Sequence, residues 1–442
     1  MAQRDYDVII AGARCGGAAL AAFLARGGAR VLLLDRDRQP SDHVISTHSM
    51  NPRGMDVLDA LGIGDAVRAG VPRSRVLRMA IPAGAWDLEL PVERAVYCPR
   101  RERLDGIIQG AAVAAGAELR DRTRVTALLE EDGRVCGVRA VDQAGERPFT
   151  SSLVVGGDGR HSTIARLVRS EEYLGYDAPR AVFWGYWNAP AFWRTDPAYR
   201  FDYYFSSLDG VIRVIFQTEN DQLMIAAAPP VAEAGPLRAD QPAALRRSLE
   251  VDPVIARVIQ GNEPDGRIRG TVNERYFFRR GAGPGWALVG DAGHHKEFAI
   301  GDGMTEALLQ AQSLAVAIGT GTDAALVRWW RARDVEALPL YFMGQDAASL
   351  VPPLEILRML YERMALLPDV RERLVGVIDR RVSPLDAFPA WRVLGWVASA
   401  VLRGRWRLPG EVLAAGRRGM AARREIRARQ RLLDEASAAA AV

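Results

Sequence analysis

The sequence predicts an α/β chain: a parallel-sheet domain assembled from separated segments, an antiparallel sheet inserted into it, and a C-terminal helical region. Three observations predict this. Apolar strand-like runs end at small or acidic residues in three places, at Gly12, at Gly156-Gly157-Asp158-Gly159 and at Gly290-Asp291. Aromatic runs with short-strand spacing lie between the second and the third, and from Ala324 onward the apolar spacing becomes helical.

Residues 1–75, 98–176 and 272–323 are assigned to the parallel-sheet domain, 76–97 and 177–271 to the inserted sheet, and 324–442 to the helical region. A length of 442 residues suits two or three such units. Cys15, Cys98 and Cys136 are widely spaced without a CxxC, so neither a disulfide framework nor a metal site is expected, and the chain reads as reduced and cytoplasmic. An apolar strand begins almost at once, at Tyr6, without the pattern of a secretory leader. No stretch approaches the ~20 apolar residues of a membrane span. The formal charge of +4 is small and its basic excess is C-terminal, so nucleic acid is not an expected partner. The 58 basic residues include a single lysine, Lys296, in the third strand-end segment.

Residues 6–36 form the first unit: a strand from Tyr6 to Ala11, a turn, an Ala/Leu-rich helix from about Gly16 to Arg26, and a strand closing at Asp35. This is a Rossmann-like βαβ pattern. Its glycines permit a tight turn and close approach of backbone to a pyrophosphate at the helix N-terminus, and a carboxylate closing the second strand suits a ribose hydroxyl. Gly12, Ala13, Arg14, Gly17, Asp35 and Arg36 are therefore dinucleotide candidates. Arg14 replaces the central glycine of G-x-G-x-x-G, either adding a cation beside the phosphates or making the loop bulge. Residues 281–285, Gly-Ala-Gly-Pro-Gly, look closer to that fingerprint but precede a strand, so they read as a turn and leave one dinucleotide fold.

Arg101-Glu102-Arg103-Leu104 opens an amphipathic helix, and the strand Leu153-Val154-Val155 then runs into Asp158-Gly159, with Ser162 and Arg166 at helical spacing beyond. After Gly290-Asp291, a helix is expected from about Gly303 to Ala317. Its N-terminus, near Gly303 and Met304, places N–H groups and a positive dipole end where they stabilise negative charge. The aromatic runs at 183–187 and 201–205 predict a twisted antiparallel sheet with an apolar wall for a planar or hydrophobic ligand, with Trp184 and Tyr203 as candidates. Residues 391–406 carry apolar residues at helical spacing bounded by arginines. Burial against the body is expected, a peripheral membrane or partner surface being the alternative.

These segments, in this order, resemble the group A flavoprotein monooxygenases of the para-hydroxybenzoate hydroxylase type, over about residues 5–345, and their halogenase and geranylgeranyl-reductase-like relatives. The resemblance implies bound FAD with NAD(P)H as a transient reductant. It implies that Gly12, Gly17 and Asp35 hold the ADP half, that Arg101 contacts the flavin nucleotide, and that Asp158 and Gly159 serve FAD and nicotinamide together. Asp291 would meet the ribityl or ribose, and Gly303 and Met304 would lie beside the isoalloxazine. The family's usual proline near the site of oxygen reaction is absent from residues 295–300. His294, His295 and Lys296 stand there instead, as proton relays and a compact charge or as structural groups; His48, in a loop that runs toward the flavin in the family, is a further candidate. The implied activity is oxygen-dependent hydroxylation or epoxidation of a hydrophobic small molecule in secondary metabolism. Alternatives are a reductase of an isoprenoid-like substrate, a halogenase, whose W-x-W-x-I-P pattern Trp184-Gly185-Tyr186-Trp187 does not match, and a non-redox cyclase using FAD as scaffold.

Overall fold

The computed structural model describes residues 4–41, 46, 48–235 and 240–439. Five parallel strands form its first sheet, in the order Glu118–Arg120, Val31–Leu34, Tyr6–Ala11, Gly145–Gly156, Trp286–Leu288. Val31–Leu34 is buried along its whole length, as a parallel strand covered on both faces must be. The helices Cys15–Arg26, Arg101–Ala114 and Gly303–Gly319 pack into one core, on one face. The other face is covered by the hairpin Arg124–Glu131 and Arg134–Asp142, which pairs with the first half of the long strand Gly145–Gly156, and by the helix Thr163–Leu167.

Register then sets the site. Ala11 lies opposite both Leu34 and Gly156, and Gly156 opposite Leu288. The turns at Gly12, Asp35, Gly157 and Val289 therefore leave from one carboxyl edge. The chain departs from the central strand Tyr6–Ala11 to neighbours on both sides, the arrangement that opens a crevice at a strand's end. Residues 281–285 form a tight antiparallel hairpin between Ala282–Gly283 and Trp286–Leu288 and carry no nucleotide turn.

The second sheet has seven strands, in the order Asp265–Thr271, Val182–Asn188, Gln222–Ala228, Ile212–Thr218, Tyr203–Ser207, Val76–Ile81, Gly84–Glu89. All pairs are antiparallel except Tyr203–Ser207 with Val76–Ile81. Alternation along Val182–Asn188 sends Phe183 and Trp187 into one core and Trp184 and Tyr186 into another. That second core includes Met359, Tyr361 and Met364 of the helix Leu354–Leu366, so the C-terminal region roofs the sheet. A small third sheet joins His294–His295, Arg275–Arg279 and Glu172–Asp177.

The expected burial of residues 391–406 is corrected. Trp396 and Ala400 are covered, but Trp391 is 74%, Leu394 63%, Leu402 88% and Trp406 74% exposed. The helix Ala390–Val401 is apolar on two faces, and the body covers only one. No described helix is long and apolar enough to cross a membrane.

Candidate functional site

A cleft of ≈ 1990 Å³, counted out to its open mouth, lies along the carboxyl edge of the parallel sheet. Its floor is built by steric necessity. Gly12 has φ +105°, and a Cβ there would stand 2.4 Å from the Gly157 carbonyl oxygen. A Cβ on Gly17 would stand 1.9 Å from the Gly12 oxygen, so only glycine lets strand, turn and helix meet this closely. Asp35 ties the turn to the second strand, accepting from the Ala13 N–H at 2.8 Å and the Asp37 N–H at 2.9 Å. Arg36 stands exposed at the rim.

Two cations face this cleft incompletely paired. Arg14 donates through Nη2 to Ser41 Oγ at 2.9 Å, while its Nη1 is buried with no hydrogen-bond partner among the described residues. Arg101 is held by Asp105 at 2.9 Å, and its Nε is likewise buried without a partner. Buried polar groups are ordinarily satisfied. Orphaned donors beside a glycine turn at a helix N-terminus fit an anionic dinucleotide.

Farther along, Gly159 adopts φ +78°. The Asp158 carboxylate accepts from Ser162 Oγ at 2.5 Å and the Thr163 N–H at 2.7 Å, capping the short helix whose Arg166 lies outside the cleft lining. Burial raises the Asp158 pKa. Gly290, at φ +61°, donates to Gln310 Oε1, and Asp291 lines the cleft half-exposed with His295 Nε2 3.9 Å from its Oδ2. Gly303 and Met304 line the far wall at the helix start.

Three of the four candidate catalytic side chains have fixed partners within the fold. Lys296 is not a free point charge: it is buried, with Nζ 2.9 Å from Asp302 Oδ2 and 2.5 Å from Glu306 Oε2, and Arg380 pairs with the same two carboxylates. Although burial opposes ionisation, the charges of Arg380 and Lys296 hold the Glu306 carboxyl well below the usual range. His294 does not line the cleft; it packs against Phe278, its Nδ1 accepts from Gln310 Nε2 at 3.0 Å, and burial drives its pKa well below that of ordinary imidazole. His48 also stands off the cleft, buried between Ser46 and the aromatic face of the second sheet. Of the four, His295 and Lys296 line the cleft.

A second cavity, ≈ 430 Å³ on the same count, is an apolar slot against the seven-stranded sheet. Trp184, Tyr203, Phe216 and Met224 form its wall, and residues 298, 299 and 301 close it. Ser46 and Phe298 line both cavities, so slot and cleft share a seam.

Sequence reasoning missed Glu297 at this seam. It is 2% exposed, accepts from the Tyr276 hydroxyl at 3.1 Å through Oε1, and leaves Oε2 unpaired among the described residues. Burial raises its carboxyl to about 7. The missed ion cluster had a partial signal, since Asp302 and Glu306 are one helical turn apart; Arg380 had none.

A family model described as an FAD binding domain matches residues 5–321. Over 179 residues the chain is 32% identical to a 12-dehydrotetracycline 5-monooxygenase/anhydrotetracycline 6-monooxygenase of Streptomyces rimosus, covering 39% of this chain and 33% of that one. It is 26% identical over 170 residues to a digeranylgeranylglycerophospholipid reductase of Methanocella arvoryzae, covering 37% and 42%. The chain thus spans about a third to two fifths of the length of these curated relatives. In fold it resembles an aklavinone-11 hydroxylase solved with FAD and aklavinone, with TM-score 0.66 and 19% identity over 84% of this chain and 73% of that one.

Proposed function

This chain belongs to the FAD-binding family of the group A flavoprotein monooxygenase type, and from that premise we propose that it is an FAD-dependent, NAD(P)H-driven monooxygenase of a hydrophobic, planar, polycyclic small molecule in secondary metabolism. The observation that carries this reading is the seam at Ser46 and Phe298, where an apolar slot adjoins a cleft fitted for a dinucleotide. Bound FAD supplies electron transfer from the nicotinamide and the activation of oxygen.

The chain supplies placement and charge. The Gly12–Gly17 turn and the N-terminus of the helix Cys15–Arg26 take the pyrophosphate, with Arg14 Nη1 as an added donor. Asp35 keeps lone pairs for a ribose hydroxyl beyond the two backbone N–H groups it holds. Arg101 Nε donates into the flavin half, and the positive end of the helix Gly303–Gly319 favours negative charge there. Trp184, Tyr203 and Phe216 exclude water and bind the substrate by its apolar faces. With one dinucleotide fold among the described residues, NAD(P)H visits the open side near Asp158 and Gly159.

Mass spectrometry of product formed under labelled oxygen tests this reading, which requires one labelled atom per product. The absence of the proline from residues 295–300 favours a reductase as the second reading. Product gaining two hydrogens and no label would establish that alternative.

A further inference from the structure

Among the described residues thirteen large apolar side chains stand exposed, and six of them lie between Trp391 and Met420. Within the helix Ala390–Val401 and the turn after it, Trp391, Leu394, Ala398 and Leu402 recur at spacings of three and four and are all exposed, which makes one stripe. The opposite side is committed: Trp396 packs against Phe388, and Ala400 is buried. The only charged side chain of this helix, Arg392, is paired with Asp369. The stripe is thus an apolar surface that no described residue covers.

Its surroundings are strongly basic. Residues 402–431 contain ten arginines against two carboxylates, whereas the whole chain carries only +4. Some of these arginines serve the fold, Arg405 with Glu355 and Glu362 and Arg418 with Asp346. Arg403 and Arg407, beside Leu402 and Trp406, are exposed and have no carboxylate partner among the described residues; nor have Arg417 and Arg424 on the helix Leu408–Ala439.

We propose that this face is a peripheral docking surface for an anionic lipid bilayer, with Trp391, Leu394, Leu402 and Trp406 entering the headgroup boundary and the unpaired arginines meeting lipid phosphates. Indole rings favour the bilayer interface, and guanidinium forks match phosphate oxygens. The positive charge is spread along the final helix, which suits a continuous field of headgroups better than the few fixed carboxylates of a protein partner. Twelve residues of helix reach about 18 Å, too short to span the hydrocarbon core, so the helix lies on the surface. The inference stands apart from the reaction proposed above, because nothing in it depends on turnover.

Co-sedimentation of the full-length, flavin-loaded protein with vesicles tests it. Equimolar phosphatidylcholine and phosphatidylglycerol should bind the protein and shift its tryptophan emission to the blue, with binding that weakens as salt rises. Pure phosphatidylcholine should bind at least ~10-fold less. Trp391→Glu with Leu402→Glu should abolish binding, and Arg403→Gln or Arg407→Gln should each weaken it roughly fivefold. Val316→Glu, at an exposed apolar residue elsewhere, should leave it unchanged. Thermal unfolding and flavin content of each variant confirm that the body is intact. The proposal is overturned if anionic vesicles do not bind the protein, if Trp391→Glu with Leu402→Glu binds them as well as wild type, or if light scattering shows a dimer that this double variant abolishes, since a second copy would then cover the face.

Discussion

The Nε2 atom of His48 lies 2.6 Å from the hydroxyl of Tyr186, and this contact joins a loop at the edge of the cleft to the aromatic face of the inserted sheet. Its direction follows from chemistry. His48 Nδ1 is 2.9 Å from the Ser46 carbonyl oxygen, which only accepts, so Nδ1 carries the proton and Nε2 accepts from Tyr186. Burial, reinforced by the nearby Arg101 charge, lowers the His48 pKa to about 3. The neutral ring therefore fixes Ser46, which lines both cavities.

The pH dependence of stability reports this link. His48 has a folded pKa below its unfolded value, so its contribution is complete above the ordinary value of 6.5 and is lost as pH falls from there toward 3. The loss amounts to at most ~5 kcal/mol. Asn is the variant of choice because it tolerates the φ of 57° found here. Urea unfolding at successive pH values across that window should show a shallower decline for His48→Asn than for wild type. Equal slopes would remove the buried neutral ring from the account.

Flavin retention tests the cleft. Asp35→Ala strips two backbone N–H groups of their acceptor, a loss of about 1–3 kcal/mol, and should weaken FAD binding by ~10-fold or more. Asp291→Ala, at a half-exposed carboxylate, should have a smaller effect in the same direction. Gly17→Ala should abolish FAD binding or folding, because the added carbon meets the Gly12 oxygen. Fluorimetric titration of apoprotein with FAD checks all three, and wild-type affinity in Gly17→Ala would contradict the packing described.

Lys296 should matter first for stability. Removing one partner of a buried ion cluster costs about 3–5 kcal/mol, so Lys296→Met should shift the denaturant midpoint by that amount with an unchanged m-value. Arg380→Met should behave alike, since it faces the same carboxylates. Wild-type midpoints combined with slowed flavin reduction would restore the reading of Lys296 as a free catalytic charge.

Glu297 has the opposite sign from His48. Its folded pKa is raised to about 7, so the stability it contributes is complete below its ordinary value of 4.5 and is lost as pH rises through 7. The penalty above that point is on the order of 3 kcal/mol. Glu297→Gln keeps an acceptor for Tyr276 and cannot ionise. Thermal melts should show the variant more stable than wild type at alkaline pH and equal to it near pH 4.5. A variant less stable than wild type above pH 4.5 and equal to it at lower pH would mean that the carboxylate is ionised in the folded protein.

What was legible in the sequence was local. A buried strand that ends in glycine, followed by an Ala/Leu-rich helix and a second strand closing at Asp35, constrains its own backbone, and the structure places Gly12, Gly17 and Asp35 as that pattern demands. The aromatic runs at 183–187 and 201–205 likewise predicted an antiparallel sheet with an apolar wall.

Tertiary structure alone decided what each exceptional side chain meets. Lys296 drew notice by composition, but its state depends on Arg380, which lies far along the chain and leaves no mark near residue 296. His294, in a strand-end segment, and His48, in a separate loop, were both candidates by residue type; only the fold sets the partner of each ring, Gln310 for His294 and Tyr186 for His48. The apolar residues from Trp391 to Trp406 were evident from their spacing, yet spacing cannot say which face a neighbouring element covers. Steric limits on a turn act between adjacent residues and are written in sequence, whereas charge pairing and burial are set by whatever surface the rest of the chain brings alongside.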